Sequence, residues 1–399
     1  MKICMIVDDY LPESIKVAAK MMHELAIEFD SRNHEVTVIT PGIGIGERYS
    51  LTKLGNITVL KFYSGQIKNV SKFKRLINEI LLPWRAWVFL KEYFMRNKHD
   101  YIVYYSPSIF WSCLIGRLKK LWGAPSYLIL RDLFPQWVID NGIIGKNSMI
   151  AHFFRYFEKI NYSMADQIGI QSPANLKWFL SNQSRFPNIQ VLYNWGSDLQ
   201  FKGKSDIYRK SLNLENKVVY FYGGNLGKAQ GMTNIVSLAK RMQVHSKAYF
   251  VLVGAGDEVA FIKESIEAEN IRNISLLDPV SQDEYRKMLS EFDVGLFTLS
   301  SLHQTHNFPG KILGYMVEGK PILGSVNSGN DLQGIIQDAQ AGLVSISGDD
   351  DLFYENAVTC LDDEKRKEFG KNSKNLLERR FSTRSAADTI LSSYPKKNI

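Results

Sequence analysis

The chain has 399 residues, of which 45% are hydrophobic and 23% are charged, and it carries a formal net charge of +8 at pH 7. This length exceeds what one ordinary core needs and fits two α/β domains, and the composition excludes a disordered or fibrous protein. The basic balance favours an anionic partner, and it fits a phosphate-bearing substrate, an anionic membrane face or a nucleic acid equally well.

Cysteine usage points to a reducing compartment. Cys4, Cys113 and Cys360 lie far apart and form no CxxC or Cys/His cluster, so we expect neither a disulfide framework nor a metal site. The apolar run at 2–7 is too short for a secretion signal, and no segment reaches about 18 uninterrupted apolar residues. We therefore expect a cytoplasmic protein that meets a membrane only from its surface.

In the first half of the chain, short β-branched runs alternate with longer helical stretches. An amphipathic helix is predicted at 15–29. Strands are predicted at 2–7, 34–41, 57–61, 101–105, 126–130, 167–170 and 190–193. This alternation is typical of a parallel sheet with crossover helices.

The alternation starts again near residue 217. Strands are predicted at 217–222, 248–253, 273–277, 293–297, 321–325 and 342–346, and helices at 232–243, 310–318 and 382–393. The polar segment 196–216 separates the halves. We predict two doubly wound α/β domains, 1–200 and 201–380, which face each other across a cleft, and a C-terminal helix within 381–399 that crosses back to the first domain.

Loops after the strands are the expected ligand sites in such sheets. Three loops in the second half suit a phosphate, because glycines let the backbone approach a ligand and a helix N-terminus favours an anion. Their candidate binding residues are Gly223, Gly224, Asn225, Lys228, Gly254, Pro309, Gly310 and Lys311. An ordinary turn without a ligand is the alternative for the first and third loops, and a solvated Lys on a connector helix is the alternative for the second. The first of them, at 223–231, matches neither a dinucleotide nor a P-loop fingerprint.

The first half offers candidate catalytic groups at strand ends. Asp9 follows the first strand, and Arg131 and Asp132 follow the strand 126–130. Asp132 suits a base or a partner that orients Arg131, and a helix cap or an ion pair is the alternative. His306 is a candidate contact to a sugar, with a purely structural role as its alternative.

The segments QSPANL, VLYNWGSD, VVYFYGGNLGKAQGM and PGKILGYMVEGKPIL occur in this order. In this pattern the chain resembles GT-B glycosyltransferases of the large retaining class, closest to WbuB-like L-fucosamine transferases of O-antigen biosynthesis. The resemblance implies two Rossmann-like domains, with the nucleotide-sugar in the C-terminal one and the acceptor in the N-terminal one. It further implies transfer of N-acetyl-L-fucosamine from a UDP-sugar to a polyprenyl-diphosphate-linked saccharide, with a retaining outcome and no metal or other cofactor.

Some family positions differ in this chain. Two glutamates that relatives carry eight positions apart appear as His306 and Gly314, and an Arg and a Lys of the first phosphate loop appear as Asn225 and Gln230. Lys228 and Lys311 are the remaining cations, so we expect these two to bind the diphosphate. The resemblance places Arg131 where relatives often carry a catalytic-site His.

Residues 68–98 combine Lys and Arg with Phe, Trp, Tyr and Leu. Such a stretch suits an anionic bilayer surface, and the resemblance predicts that a lipid-linked acceptor is met there. A helix with an apolar stripe in the core is the alternative, and Pro83 is expected to break or start a helix.

Two other functions fit the same residues. A sugar-nucleotide epimerase of GT-B type would convert the donor without an acceptor. A non-catalytic scaffold of a polysaccharide-assembly complex would bind the nucleotide-sugar without turnover. A nucleic-acid partner is not expected, because the basic aromatic stretch is confined to one region and contains no recognised motif.

Overall fold

A computed structural model describes the chain except residues 15, 43–44, 46, 67–69, 141, 184–185, 187, 197–202, 204, 302–307 and 396–399, and the side chain of residue 72. The chain divides into two compact units, Met1–Tyr193 with Thr383–Ile399, and Asn194–Ser382. The predicted boundary between residues 200 and 201 lies outside the described residues.

The first unit contains an eight-stranded sheet and six helices from the N-terminal part of the chain. Its strands are β1 (Lys2–Ile6), β2 (Glu35–Gly42), β3 (Tyr49–Leu54), β4 (Ile57–Tyr63), β5 (Tyr101–Ser106), β6 (Ser126–Leu130), β7 (Gln167–Ile170) and β8 (Ile189–Val191). Its helices are α1 (Val17–Ser31), α2 (Lys72–Arg96), α3 (Ser112–Trp122), α4 (Gln136–Asp140), α5 (Met149–Ser163) and α6 (Pro173–Asn182).

The second unit contains a six-stranded sheet. Its strands are β9 (Val218–Gly223), β10 (Ala248–Val253), β11 (Ile274–Leu277), β12 (Val294–Thr298), β13 (Ile322–Val326) and β14 (Gly342–Ile346). Its α-helices are α7 (Ile207–Ser211), α8 (Met232–Arg241), α9 (Val259–Ala268), α10 (Gln282–Glu291), α11 (Lys311–Val317), α12 (Asp331–Asp338), α13 (Asp350–Thr359) and α14 (Asp363–Leu376). Short 3₁₀ turns lie at Lys228–Gln230 and Met242–Val244, and a π-helical turn lies at Leu377–Phe381.

Both sheets are doubly wound. The order is β3-β4-β2-β1-β5-β6-β7-β8 in the first and β11-β10-β9-β12-β13-β14 in the second, and every pair is parallel except β3 with β4. The strand order therefore reverses between β1 and β5 and between β9 and β12. Ligands bind outside the carboxyl ends of strands at such switch points, so the topology directs attention to the loops after these strands. The predicted pair of doubly wound α/β domains is confirmed.

Strand β3 was missed in the sequence. Its residues YSLTKL are mostly exposed, and the strand forms the antiparallel edge of the sheet beside β4. An edge strand of this kind buries little apolar surface, so it lacks the hydrophobic run that identified the others.

Helix α2 continues through Pro83, so the predicted break there is wrong. Leu82, Ala86, Leu90 and Phe94 follow one another at four-residue spacing and are buried in the core of the first unit. Proline removes one backbone donor from the helix, and the burial of this stripe offsets that loss. The core-packing interpretation of segment 68–98 therefore holds for one face of α2.

The C-terminal helix α15 (Thr383–Ser392) belongs to the first unit. Gln190 in β8 donates to the carbonyl of Thr389 at 3.1 Å and to the hydroxyl of Ser393 at 2.7 Å. The hydroxyl of Tyr101 in β5 donates to the carbonyl of Ile390 at 3.2 Å. These bonds tie the last helix to the strands of the N-terminal sheet.

Leu90→Ala should lower the free energy of unfolding by about 2–5 kcal/mol, because it leaves a cavity under α2. Val88→Ala, two residues earlier and exposed, should change it by less than about 0.5 kcal/mol. Urea denaturation followed by circular dichroism measures both. Equal effects of the two substitutions would contradict the assignment of the buried face.

Candidate functional site

The two glycine loops after β9 and β10 pack directly against each other. The N–H of Gly224 donates to the carbonyl of Val253 at 2.9 Å, and that of Leu226 donates to Ala255 at 2.9 Å. Gly254 has φ +154°, and a Cβ built there would lie 1.8 Å from the carbonyl oxygen of Gly224. Glycine is thus required at position 254 for the two loops to meet.

The loop after β12 closes on the first glycine loop across the switch point. The hydroxyl of Thr298, at the end of β12, donates to the carbonyl of Gln230, and the N–H of Ser300 donates to the carbonyl of Ala229 at 3.0 Å. The loops after β9, β10 and β12 therefore form one site at the carboxyl edge of this sheet.

Tyr315 fixes helix α11 over the same switch point. Its hydroxyl donates to the carbonyl of Leu296 in β12 at 2.8 Å and lies 3.3 Å from that of Phe221 in β9. Its ring fills the place of a side chain at Gly295, where a Cβ would lie 2.2 Å from the ring. Because Tyr315 is one helical turn after Lys311, this packing holds Lys311 at the edge of the sheet.

Lys311 is the notable charge of this site. Its ammonium lies 3.4 Å from the centroid of the Tyr222 ring, and its Nζ lies 3.8 Å from the position that a Cβ at Gly224 would occupy. Burial lowers the pKa of Lys311 to about 7. No carboxylate of the described residues forms an ion pair with it. A desolvated cation in this state gains stability from a bound anion.

The first turn of α11 offers fewer free N–H groups than the sequence indicated. The N–H groups of Ile312 and Leu313 already donate to the carbonyls of Pro309 and Gly310, at 3.1 and 3.2 Å. A Cβ at Gly310 would have no atom within 4 Å, so packing does not require glycine there. In this turn the ammonium of Lys311 is thus the better-placed group for an anion.

The first glycine loop is held by its own polar groups. Asn225 donates through its amide to Gln230 at 2.7 Å, so the two positions where relatives carry cations form a neutral pair. The side chain of Lys228 is exposed, and its backbone N–H donates to the carboxylate of Asp257 at 3.3 Å. Lys228 is therefore less shielded from solvent than Lys311.

Tyr285 of α10 was not identified from the sequence. A Cβ at Gly223 would lie 2.2 Å from its ring, and one at Gly314 would lie 4.0 Å from its hydroxyl. Gly223 is therefore needed to admit this ring. The phenol of Tyr285 thus stands beside Gly314, where relatives carry the second glutamate. No pattern in the helix QDEYRKMLSE distinguishes this tyrosine from a core residue.

In the first unit, Asp8 rather than Asp9 joins the loops at the switch point. The carboxylate of Asp8 accepts the N–H of Ser108 at 3.0 Å and the indole N–H of Trp111 at 2.9 Å. Burial raises the pKa of Asp8 to about 7. Asp9 instead pairs with Lys16 at 3.1 Å. The sequence motif DD left the two carboxylates indistinguishable, because only the fold decides which of them turns inward.

Arg131 and Asp132 lie together near Tyr105 of β5. The charges of Asp8, Arg131 and Asp132 all act on the Tyr105 hydroxyl, and burial raises its pKa to about 12. Desolvation raises the pKa of Asp132, and the positive charge of Arg131 acts to lower it. Arg131 donates to the sulfur of Met21 at 2.9 Å. These groups form a polar cluster at the carboxyl ends of β1, β5 and β6. Like Tyr285 in the second unit, Tyr105 was not identified from the sequence.

Three other expectations concern His306, a metal site and a membrane-spanning helix. His306 lies outside the described residues. Among the residues that are described, no group of three or more His, Cys, Asp or Glu side chains could hold a metal ion. Within the same part of the chain, no helix is both long and apolar enough to cross a bilayer.

Comparison with known proteins identifies the second unit. Residues 204–376 match the family model of glycosyl transferases group 1. This unit is a group 1 glycosyl transferase domain. Over 313 residues the chain is 26% identical to WcaI of Escherichia coli (strain K12), which is named as a colanic acid biosynthesis glycosyl transferase. The matched region covers 74% of this chain and 76% of that protein.

Solved structures show that the whole chain has the GT-B fold, as predicted. The Anabaena protein Alr3699/HepE in complex with UDP and glucose superposes with a TM-score of 0.67 at 15% identity, covering 98% of this chain and 99% of that one. WaaG, a glycosyltransferase involved in lipopolysaccharide biosynthesis, superposes with a TM-score of 0.62 at 14% identity, covering 97% and 99%. The specificity of L-fucosamine transferases stays a prediction.

Gly254→Ala should destabilise the group 1 domain by at least about 2 kcal/mol, because the new methyl group meets the carbonyl of Gly224 at a left-handed φ. Gly334→Ala is the matched control: it lies in α12 with no atom within 4 Å of the added Cβ, and should stabilise by about 0.5–1 kcal/mol. Thermal unfolding measures both. A Gly254→Ala protein as stable as the parent would contradict the close contact of the two loops.

Proposed function

We propose that this chain is a glycosyltransferase that moves a sugar from a UDP-sugar to a polyprenyl-diphosphate-linked saccharide during assembly of a cell-surface polysaccharide such as O-antigen or capsule. The donor sugar that we propose is N-acetyl-L-fucosamine, on the resemblance of the segments quoted above. We further propose a retaining outcome, no metal requirement, and work at the cytoplasmic face of the membrane.

One observation carries the donor half of this proposal. Lys311 is a partly buried cation that faces the space left open at Gly224, at the switch point of a doubly wound sheet. A nucleoside diphosphate supplies the negative charge that this ammonium lacks. The N–H groups of Gly224 and Gly254 already donate to the carbonyls of Val253 and Leu277, so they are not available to the ligand. These glycines contribute instead by leaving space where a side chain would be.

The same charge serves the chemistry. When the bond between the sugar and the diphosphate breaks, negative charge grows on the leaving phosphate, and a fixed cation stabilises it. Lys311 is held for this role by Tyr315, so little reorganisation is needed as the charge develops. Lys228 adds a second, more solvated positive charge.

The acceptor half rests on the polar cluster of the first unit. The acceptor hydroxyl must lose a proton as it attacks the anomeric carbon. We assign proton acceptance to the carboxylate of Asp132, with Arg131 orienting it. Asp8 holds the loop at Ser108 and Trp111 in place beneath this cluster.

Release of UDP measures the proposed reaction. Purified protein should release UDP from UDP-N-acetyl-L-fucosamine only when an extract of polyprenyl-linked saccharides is present, and Asp132→Asn should reduce the rate by about 100-fold or more. A panel of other UDP-N-acetylhexosamines tests the donor. No release with any donor and acceptor would count against the proposal.

Two further outcomes would replace the proposal. Conversion of the UDP-sugar to an isomer without an acceptor would identify an epimerase. Tight binding of the UDP-sugar without release or conversion, unchanged in Asp132→Asn, would identify a scaffold.

The affinity for UDP should fall as the pH rises from about 7 to about 9. Lys311 has a free-state pKa near 7, and a bound diphosphate raises it. Binding then takes up a proton above that pH, and the affinity drops by up to about tenfold per unit. Below pH 7 the ammonium is already formed, so this loss is absent. Isothermal titration calorimetry in buffers of different ionisation enthalpy measures both the affinity and the proton uptake.

Matched variants assign this pH dependence to its source. Lys311→Arg keeps a cation at every pH and should flatten the curve, whereas Lys311→Met should weaken binding at pH 7 by about tenfold or more. Lys228→Met should have the smaller effect, because its exposed charge is screened. An unchanged pH profile in Lys311→Arg would contradict the assignment.

A further inference from the structure

The second unit has a groove at the end of its sheet opposite to the site described above. The groove lies where β9, β10 and β11 begin, and its volume is about 650 Å³. Lys217 and Asn273 come directly before β9 and β11, and Ala248 is the first residue of β10. A volume of this size is typical of pockets that hold small molecules. We call it the amino-edge groove, and its lining includes Lys217, Gln243, Glu269, Asn270, Arg272 and Asn273.

Arg272 supplies an unengaged guanidinium at the amino-edge groove. Its backbone N–H donates to Oε1 of Gln243 at 3.0 Å, and its Nε donates to Oδ1 of Asn270 at 3.3 Å. The two outer nitrogens of the guanidinium form no hydrogen bond or ion pair with the described residues. Because the bond from Nε orients the group, these two nitrogens can bind both oxygens of a phosphate or a carboxylate.

Arg272 also fixes the orientation of two side-chain amides at the groove. Gln243 and Asn270 each accept from Arg272 through oxygen, which leaves their NH₂ groups. Neither NH₂ group has a hydrogen-bond partner among the described residues. The side-chain oxygen of Asn273, a residue that is 9% exposed, is buried and has no partner either. Two free donors and a free acceptor match the hydroxyl groups of a saccharide, which both donate and accept.

The charge at the amino-edge groove is positive. Glu269 is the one acid among the described residues that line it, and its carboxylate pairs with Lys240 at 3.0 Å. The ammonium of Lys217 donates to the carbonyl of Ser246 at 2.5 Å, which holds it at the groove. Lys217 and Arg272 thus lack an acidic partner within the described part of the chain, and a bound anion would be stabilised by both.

We propose that the amino-edge groove is a second binding site of the group 1 domain, for a saccharide that carries a phosphate or a carboxylate. The guanidinium of Arg272 binds the anionic group, and the amides of Gln243, Asn270 and Asn273 bind hydroxyls. This site goes beyond the proposed function, because it shares no residue with the loops at the carboxyl ends of the same strands. A ligand bound there leaves the proposed diphosphate site free.

Isothermal titration calorimetry with small probes tests this proposal. At least one of glucose 1-phosphate and glucuronic acid should bind the full chain with a Kd of about 1 mM or lower. Glucose should bind at least about tenfold more weakly, because it lacks the anionic group. Inorganic phosphate should also bind at least about tenfold more weakly than glucose 1-phosphate, because it cannot reach the amides. The two charged probes distinguish phosphate from carboxylate as the preferred group.

Matched variants locate the binding. Arg272→Gln should weaken binding of the charged probe by about tenfold or more. Gln243→Glu should do the same, because it keeps the acceptor for the backbone N–H of Arg272 and places a carboxylate beside the anion. Lys371→Gln removes an exposed charge of α14 in the same unit, and this control should bind like the parent. If Arg272→Gln does not fold, Gln243→Glu still tests the site.

Titrations with and without UDP separate this proposal from the proposed function. The affinity for the charged probe should be the same at saturating UDP, and the affinity for UDP should be the same in Arg272→Gln. A protein that binds the probe through Arg272 but does not bind UDP would support the groove and contradict the proposed function. Displacement of the probe by UDP, or equal probe affinity in Arg272→Gln and the parent, would overturn the proposal. So would inorganic phosphate that binds as tightly as glucose 1-phosphate, or no binding of either charged probe.

Discussion

The second unit depends on one electrostatic constraint, which is a cation held out of water with no ion-paired carboxylate among the described residues. A lysine in most helices is solvated or ion-paired. Here the packing of Tyr315 and the ring of Tyr222 hold Lys311 at the edge of the sheet. A buried ammonium in this state is stabilised by a bound anion, which is why we propose the diphosphate site here. The glycine contacts at Gly224 and Gly254 then follow, because a side chain at either position would occupy the approach or separate the loops.

The first unit repeats the topology with different chemistry. Its switch point carries carboxylates and a phenol, Asp8, Asp132 and Tyr105, in place of glycine turns and an ammonium. The same reversal of strand order thus creates two unlike sites. One suits the charge of a leaving diphosphate and the other suits a hydroxyl that must lose a proton. This division of chemistry favours a transferase over a protein that only binds a nucleotide.

Helix α2 shows that two interpretations of one segment need not exclude each other. Its buried stripe at Leu82, Ala86, Leu90 and Phe94 gives the first unit part of its core. Its other side carries Phe73, Ile77, Trp84 and Val88, which are exposed. Burial of the inner stripe keeps the helix continuous through Pro83, and a continuous helix keeps the exposed apolar residues on one side.

The sequence by itself determined most of the strands and both doubly wound units, because fully buried parallel strands require continuous β-branched and aromatic runs that are visible in one dimension. It also located the glycine loops and Lys311, since positions after strands are fixed by local order. It did not find β3, whose exposed edge leaves no such run. Only the tertiary structure decided that Asp8 rather than Asp9 turns inward and that Tyr285 and Tyr105 line the candidate sites. Those outcomes depend on which side of an element meets a distant neighbour, and burial created by long-range packing leaves no local pattern in the chain.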